Sequence, residues 1–247
     1  MSWFAAARPR SADEAALAAQ VIVIAKEPVP GRVKTRLTPP FTPQDAASLA
    51  TAALADTLAA VTATPVIRQV LALDGAPGDW LPAGFDIVAQ RGGGLDERLA
   101  AAFADTHASL PVPMVLIGMD TPQVSRDLLT EAAESLVRGE ADAVFGPAAD
   151  GGFWLLGLRR PDRSLLAGVP MSRPDTGLHQ LGRLTSAGLR VAMMPELTDV
   201  DTVREAELVA AAIPGSRFAA AFAVATEGLA PASGRQATGP WTVTSVP

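Results

Sequence analysis

Short apolar runs alternate with longer segments of helical periodicity along most of this sequence, and this order limits the fold more than any other feature. The run Val112–Met119 contains Val115-Leu116-Ile117, which indicates a central strand buried on both faces. Strands that alternate with helices of about ten or more residues are typical of a parallel sheet covered by helices. The predicted strands are 20–26, 66–73, 85–90, 112–119, 141–146, 153–158 and 189–194. The predicted helices are 42–62, 95–109, 125–139, 176–187 and 202–212.

We therefore predict an α/β fold, a single Rossmann-like three-layer domain with a mostly parallel central sheet. The 247 residues, 49% of them hydrophobic, are enough for one sizeable core. We place this domain at residues 20–213, after an N-terminal arm at 1–19. Residues 214–247 are rich in Ala, Gly, Pro and Thr, and they predict a low-complexity C-terminal tail.

The overall charge and composition exclude several classes of function. A net charge of −6 argues against a general nucleic-acid binder, which requires a basic surface. The chain has no Cys, so disulfides, thiolate metal sites and a cysteine nucleophile are excluded. No apolar run reaches the roughly 18 residues of a membrane span, and the start lacks a signal-peptide core. We expect a cytoplasmic protein; the oligomeric state is not indicated.

A basic loop follows the first predicted strand, at residues 25–37. Pro28, Pro30 and Gly31 prevent a regular helix or strand there, so the backbone must form a shaped loop. Its cations suit a polyanion such as a nucleoside triphosphate, and a solvated basic turn is the alternative. It is not a Walker loop, because Val33 stands where that motif requires glycine. The cations are Lys26, Arg32, Lys34 and Arg36.

Acidic residues follow two of the later apolar runs. Asp120 comes directly after the central strand, where ligands bind in open parallel sheets, and hard carboxylate oxygens suit Mg²⁺ or Mn²⁺. The alternative for Asp120 is a helix cap, although Ser125 is nearer to the next helix. Asp199 and Asp201 lie on the same side of an extended segment and form a candidate metal pair. Asp201 is also a candidate helix N-cap.

Two glycine-rich turns are further candidates for ligand contacts. The elbow 92–94 permits close backbone approach to a ligand at Gly93, but such elbows also occur at ordinary strand-to-helix junctions. Asp150 precedes Gly151 and Gly152. It either forms an Asx-turn or accepts hydroxyl groups of a sugar or acceptor.

Four of these segments together resemble the radical-SAM/selenodomain-associated transferase family. The motifs are Ala-Lys-x-Pro-x-Pro-Gly-Arg-Val-Lys-Thr-Arg-Leu (25–37), Gly-x-Asp-x-Pro (118–122), Gly-Pro-Ala-x-Asp-Gly-Gly (146–152) and Asp-Val-Asp-Thr (199–202). That family is a branch of the nucleotide-diphospho-sugar transferases, which have the glycosyltransferase A-type fold. It is distantly similar to the guanylyltransferases of molybdenum-cofactor and deazaflavin-cofactor synthesis. The resemblance covers about residues 20–212, so it implies a nucleotide-diphospho-sugar transferase-like domain there.

The resemblance also implies site roles. The first loop would wrap the nucleotide phosphates, Asp120 would hold the metal ion, and Asp199 and Asp201 would complete the metal site. The chain departs from its relatives at 171–173, where Met-Ser-Arg stands in place of Trp-Ser-Thr, which affects the acceptor site. The expected nucleotide-binding residues are Ala25, Lys26, Gly31, Arg32, Lys34, Arg36 and Gly93.

Three functions fit these residues. The first is Mg-dependent nucleotidyl transfer from a nucleoside triphosphate to a phosphorylated small molecule, with Lys34 and Arg36 neutralising the phosphates. The second is glycosyl transfer from a nucleotide sugar to a hydroxylated acceptor, with Asp150 as the base. The third is nucleotide binding without catalysis.

Overall fold

The computed structural model describes residues 15–229, whose strands form one seven-stranded sheet of order β3-β2-β1-β4-β6-β5-β7. The strands are β1 Leu17–Lys26, β2 Val66–Asp74, β3 Phe85–Ala89, β4 Met114–Gly118, β5 Ala143–Pro147, β6 Phe153–Leu158 and β7 Val191–Met193. The helices are α1 Pro43–Ala63, α2 Leu95–Ser109, α3 Arg126–Val137, α4 Thr176–Ser186, α5 Val203–Ala212 and α6 Arg217–Glu227. β6 is antiparallel to β4 and β5, and the other pairings are parallel. The predicted α/β fold with a mostly parallel sheet is confirmed.

Helices cover both faces of the sheet, which gives the three predicted layers. On one face, α1 and α3 pack on the sheet through Leu54, Leu58 and Leu129, which are buried with Val21 and Val115. On the other face, Leu99 and Phe103 of α2 and Leu184 of α4 are buried with sheet residues that include Leu116 and Leu156. β4 contributes side chains to both clusters, because alternate residues of a strand point to opposite faces.

The topology brings distant parts of the chain to one edge of the sheet. β1 and β4 are adjacent and parallel, so the loops that follow Lys26 and Gly118 leave from the same edge. The turn from β5 into the antiparallel β6 lies at that edge too. The segment after β7 reaches it through a parallel bridge between Ala148 and Leu197. The predicted site segments therefore meet there.

The predicted domain boundary at 213 is wrong. α6 packs against α1 and α5, and Phe218 is completely buried with Leu37 and Phe41. The backbone N–H of Phe218 also donates to the Asp56 carboxylate of α1 at 2.8 Å. The packed chain thus extends to residue 229; the rest of the predicted tail lies outside the described residues. At the other end β1 begins at Leu17, inside the predicted arm, of which residues 1–14 are outside the description.

Within residues 15–229, α1 is the one helix long and apolar enough to cross a membrane by length and composition. Its most apolar window has a mean hydropathy of 1.4, and 61% of that window is buried inside the fold. It packs against β1, α3 and α6. Such burial is typical of a core helix.

Candidate active site

A cleft of about 820 Å³ opens at the edge where the site segments meet. Its volume lies within the range of small-molecule sites, which is about 300–1,000 Å³. Gly31 and Arg32, which the sequence also placed among the nucleotide-binding residues, are exposed and do not line it. The predicted site residues that do line it are Ala25, Lys26, Lys34, Arg36, Gly93, Asp120, Asp150, Asp199 and Asp201.

Lys34 connects the basic loop to the acidic residues. Its Nζ lies 2.8 Å from Asp120 Oδ1 and 3.1 Å from Asp201 Oδ1, and its side chain is only 7% exposed. Burial lowers the pKa of Lys34, but the two carboxylates outweigh it and the pKa is raised above its ordinary value. The backbone of Lys34 is left-handed, with φ of 48°, at the start of a 3-10 turn over Thr35–Leu37. This ammonium is a fixed positive charge inside the cleft.

Two further cations of the loop are open to a ligand. Arg36 Nη1 lies 3.3 Å from Asp201 Oδ2, and the Arg36 side chain is 73% exposed. Lys26 is exposed at the end of β1. Both line the cleft beside the buried Lys34, so this part of the cleft has one fixed and two adjustable cations, which suit an anionic ligand.

The alternative roles of Asp120 and Asp201 as helix caps are not observed. Ser125 caps α3 by accepting from the Leu128 N–H. Thr202 caps α5 in a capping box, leaving the Asp201 carboxylate free for Lys34 and Arg36. The two acidic segments are also joined, since the Val200 N–H donates to the Asp120 carbonyl at 2.9 Å.

Asp199 is a partly buried acid of the cleft. Burial raises its pKa to about 6; the hydrogen bond from Thr121 opposes the shift, and the charges of Asp120 and Asp150 add to it. The Thr121 hydroxyl donates to Asp199 Oδ1 at 2.6 Å. Nothing in the sequence indicated Thr121 as a partner beyond its position next to Asp120.

The raised pKa of Asp199 predicts a pH dependence of stability. The ordinary carboxyl value of 3.8 applies to the unfolded chain, so the native state binds the proton more tightly between about pH 4 and pH 6. Stability from this group is therefore complete below about pH 4 and is lost as the pH rises through about 6. Asp199→Asn keeps the acceptor for Thr121 and removes the charge. We expect its free energy of unfolding to exceed the wild type's by up to about 3 kcal/mol at pH 7.5.

Urea unfolding of both proteins at pH 4 and pH 7.5 measures this effect. The advantage of the variant should disappear at pH 4, where Asp199 is neutral in the wild type. An equal difference in the free energy of unfolding at both pH values would show that burial does not raise the pKa of Asp199.

Asp150 makes the Asx-turn that its sequence context predicted, and it also lines the cleft. Its Oδ1 accepts from the Gly152 N–H at 2.8 Å, so Oδ2 remains available to a ligand. Gly151 has φ of 87° and lies against the Pro174 carbonyl, with which a Cβ would collide. The Gly177 N–H donates to the Gly151 carbonyl at 2.7 Å. The Asp150 turn is therefore fixed against the segment that precedes α4.

Gln90, Arg98 and Arg173 also line the cleft, and sequence reasoning did not single them out as site residues. Gln90 Nε2 donates to the carbonyls of Ala25 and Ala72 at 2.7 and 2.9 Å. Two carbonyl neighbours require the amide nitrogen there, so Oε1 must face away from them. Its position at the end of β3 was the available indication, since β3 ends at the ligand-binding edge.

The carboxylates suit a divalent metal ion only in part. Among residues 15–229, no group of three or more acidic, His or Cys side chains is arranged as a metal site, and Lys34 lies between Asp120 and Asp201. Asp120 and Asp199 are close enough to influence each other's charge, and each has an oxygen without a protein donor among the described residues. Mg²⁺ commonly binds one or two carboxylates together with substrate phosphates. The donor set fits that arrangement.

The chain is similar to several solved structures. A crystal structure from Desulfovibrio desulfuricans G20, provisionally assigned as a nucleotide-diphospho-sugar transferase, is 26% identical with a TM-score of 0.76, over 85% of this chain and 94% of that one. This likeness confirms the predicted nucleotide-diphospho-sugar transferase fold. CMP:2-keto-3-deoxy-manno-octonic acid synthetase complexed with CTP is 14% identical, with a TM-score of 0.48 over 78% of this chain and 96% of that one. The 2-C-methyl-D-erythritol 4-phosphate cytidylyltransferase of Thermus thermophilus is 16% identical, with a TM-score of 0.47 over 85% and 99%.

No protein of curated function matches the sequence. A family model described as "Uncharacterized protein conserved in bacteria (DUF2064)" matches residues 49–173, about half of the chain, from the second turn of α1 to the segment before α4. That stretch contains Asp120 and Asp150 and the strands that position them. The chain belongs to the DUF2064 family.

Proposed function

We propose that this protein is a divalent-metal-dependent nucleotidyltransferase. It joins the nucleoside monophosphate of a nucleoside triphosphate to a phosphorylated small molecule and releases pyrophosphate. The observation that carries the proposal is the meeting, in one cleft, of the cations Lys26, Lys34 and Arg36 with the carboxylates of Asp120 and Asp199. The fold shared with the D. desulfuricans protein supports a nucleotide as the ligand.

The chain contributes binding and charge neutralisation to this reaction. A phosphate oxygen of the acceptor attacks the α-phosphorus, the bond to the β-phosphate oxygen breaks, and pyrophosphate leaves with the electron pair. Lys34 and Arg36 donate to the phosphates and balance the charge that grows on the leaving group. Asp120 and Asp199 would hold Mg²⁺ or Mn²⁺, which neutralises phosphate charge when bound. Asp201 keeps Lys34 and Arg36 in place.

A screen for pyrophosphate release with four nucleoside triphosphates and a set of phosphorylated acids tests the reaction. Release with one nucleotide and one acid is the expected result. No release throughout, together with turnover of a nucleotide sugar, would reject nucleotidyl transfer.

Asp120→Asn is expected to remove the metal-dependent part of nucleotide binding. For the wild type, a nucleotide at about one hundred times its Kd should add about 2.7 kcal/mol to stability, seen as a higher melting temperature with Mg²⁺. Asp120→Asn should respond equally with and without Mg²⁺. Asp127→Asn, an exposed acid on α3 outside the cleft, should behave as the wild type. Mg²⁺-independent binding in the wild type that survives Asp120→Asn would instead identify a non-catalytic nucleotide-binding protein.

Glycosyl transfer from a nucleotide sugar is the second candidate function. It is favoured by Asp150, which lines the cleft with one carboxylate oxygen available to deprotonate an acceptor hydroxyl. Release of a nucleoside diphosphate from a nucleotide sugar would support it. Unchanged turnover by Asp150→Ala would exclude Asp150 as the base.

The more specific part of the family resemblance stays a prediction from the sequence motifs. Association with radical-SAM proteins and similarity to guanylyltransferases rest on residues 25–37, 118–122, 146–152 and 199–202. Cytoplasmic location is likewise a prediction.

A further inference from the structure

Arg173 is a further cation of the cleft, and it has no role in the phosphate contacts proposed above. It belongs to the segment 171–176, between β6 and α4, and lines the cleft with Met171 and Thr176. Its side chain is 58% exposed. Arg173 therefore meets whatever occupies this part of the cleft.

The orientation of Arg173 is fixed by its neighbours. Its Nε and Nη2 donate to the two carboxylate oxygens of Asp175 at 2.9 and 3.0 Å. The backbone N–H of Arg173 donates to the Thr176 hydroxyl at 3.0 Å. The preceding Ser172 has φ of 58°, a left-handed conformation that is costly for a residue with a side chain. Such conformations persist where the surroundings determine them, often at ligand-binding positions.

The Arg173 guanidinium has more N–H donors than its pair with Asp175 uses. It carries five N–H groups, and the pair with Asp175 uses one on Nε and one on Nη2. Both N–H groups of Nη1 and the second of Nη2 have no acceptor among residues 15–229. Because guanidinium donors match carboxylate and phosphate geometry, an anion is the ligand class that suits them.

Arg173 is also held next to Asp150. Pro174 contacts Gly151, and the Gly177 N–H donates to the Gly151 carbonyl. The segment of Arg173 and the turn of Asp150 thus form one wall of the cleft. The other charges of the cleft include four carboxylates, which repel an anion, so an anionic acceptor needs a local cation on this wall.

We propose that Arg173, positioned by Asp175 beside the Asp150 turn, selects an acceptor with an anionic group, either a phosphate or a carboxylate. This inference rests on the proposed function, because it assigns this wall to the acceptor. Arg173 then determines which small molecules enter and does not take part in bond breaking.

Isothermal titration of the full-length protein with three molecules of one carbon skeleton tests the proposal. Glycerol 3-phosphate presents a phosphate, glycerate a carboxylate, and glycerol neither. At least one anionic compound should bind more tightly than glycerol, and its identity shows which anion is preferred. Arg173→Met should weaken that binding by about 10- to 100-fold, the usual effect of losing charge-assisted hydrogen bonds. Arg173→Lys, which keeps the charge without the planar fork, should lie between the two.

Arg190→Met is the matched control. Arg190 is also 58% exposed and makes a bidentate pair, with Asp142 at 2.9 and 3.0 Å, but it does not line the cleft. The Arg190→Met variant should bind the anion with wild-type affinity. The proposal is overturned if neither anion binds the wild type better than glycerol, or if Arg173→Met binds it equally well. A separate titration of the wild type with Mg²⁺ and each of four nucleoside triphosphates tests the proposed function itself. If the wild type binds a nucleotide but neither anion, the role of Arg173 is overturned and the transferase stands. If it binds an anion but no nucleotide, the transferase is overturned.

Discussion

Lys34→Met is expected to weaken binding of a metal–nucleotide complex by at least about 30-fold. The Lys34 ammonium is almost completely buried and bonded to two carboxylates, so its loss leaves acids facing the phosphates without compensation. Removal of one member of a buried, hydrogen-bonded charge pair at a binding site costs about 2–5 kcal/mol. That range corresponds to a change of about 30-fold to several thousand-fold in Kd. Titration calorimetry with Mg²⁺ and the nucleotide that stabilises the wild type measures it.

Arg32→Met is the control for this prediction. Arg32 belongs to the same loop and is exposed, but it does not line the cleft. Its loss should change the Kd by less than about threefold, apart from a general effect of charge that salt suppresses. If Lys34→Met keeps the wild-type affinity while folded, Lys34 does not contact the nucleotide. An equal loss of nucleotide affinity in both variants would show that the loop acts on the nucleotide only through its overall positive charge.

The position of the site was predictable because it depends on strand ends. Parallel strands place their carboxyl ends at one edge, so a basic loop after β1 and an acid after β4 were expected at the same edge once the strands were identified. Their contact also requires β1 and β4 to be adjacent, which the structure shows and the strand positions alone did not specify. Asp120 and Lys34 illustrate this, since 86 positions of sequence separate them and 2.8 Å separates their charged atoms. The apolar runs are short and well bounded, which made the strands recognisable.

Which cations of the basic loop line the cleft was not predictable from composition. Lys34 turns inward because its left-handed backbone starts a turn whose last residue, Leu37, is buried. The Arg32 N–H instead closes a turn with the Val29 carbonyl at 3.0 Å, and the Arg32 side chain stays in solvent. Arg173 was identified only as a departure from the family motif. Its place in the cleft depends on how Pro174 packs against Gly151, which sequence spacing does not specify.

The helix α6 was missed because its composition resembles that of a flexible tail. Residues 217–227 are Ala-rich, with Arg217 and Glu227 as their only charged residues, so they match the Ala-, Gly-, Pro- and Thr-rich stretch to which they belong. Local indications were present: Ser216 caps the helix by accepting from the Ala219 N–H, and Phe218, Phe222 and Ala225 recur at helical spacing. The helix is stabilised mainly by tertiary packing on α1, which a local pattern does not reveal.

Phe218→Ala is expected to lower the free energy of unfolding by about 3–5 kcal/mol, the usual cost of truncating a buried Phe. Phe218 is completely buried, and the cluster around it includes Leu37, the last residue of the basic loop, and Phe41, which follows the loop. For a domain of this size the loss corresponds to a fall of about 6–20 °C in Tm. Urea unfolding and a thermal scan measure the change. Val224→Ala is the control, because Val224 lies on the same helix with 70% of its surface exposed and should change stability by less than about 0.5 kcal/mol.

The same substitution tests whether α6 supports the nucleotide site. Leu37 ends the turn that Lys34 begins, and the ring of Phe41 meets that of Phe222 edge-on at 5.9 Å. A cavity at Phe218 loosens this contact, so a smaller fraction of molecules has Lys34 in its binding position. The apparent Kd for nucleotide then rises in inverse proportion to that fraction. Nucleotide affinity should therefore fall in Phe218→Ala at a temperature where the protein is still folded, and not in Val224→Ala. A free energy of unfolding of Phe218→Ala within about 1 kcal/mol of the wild-type value would contradict this prediction. Truncating a well-packed buried Phe costs more than that, so α6 would then add little to the stability of the domain.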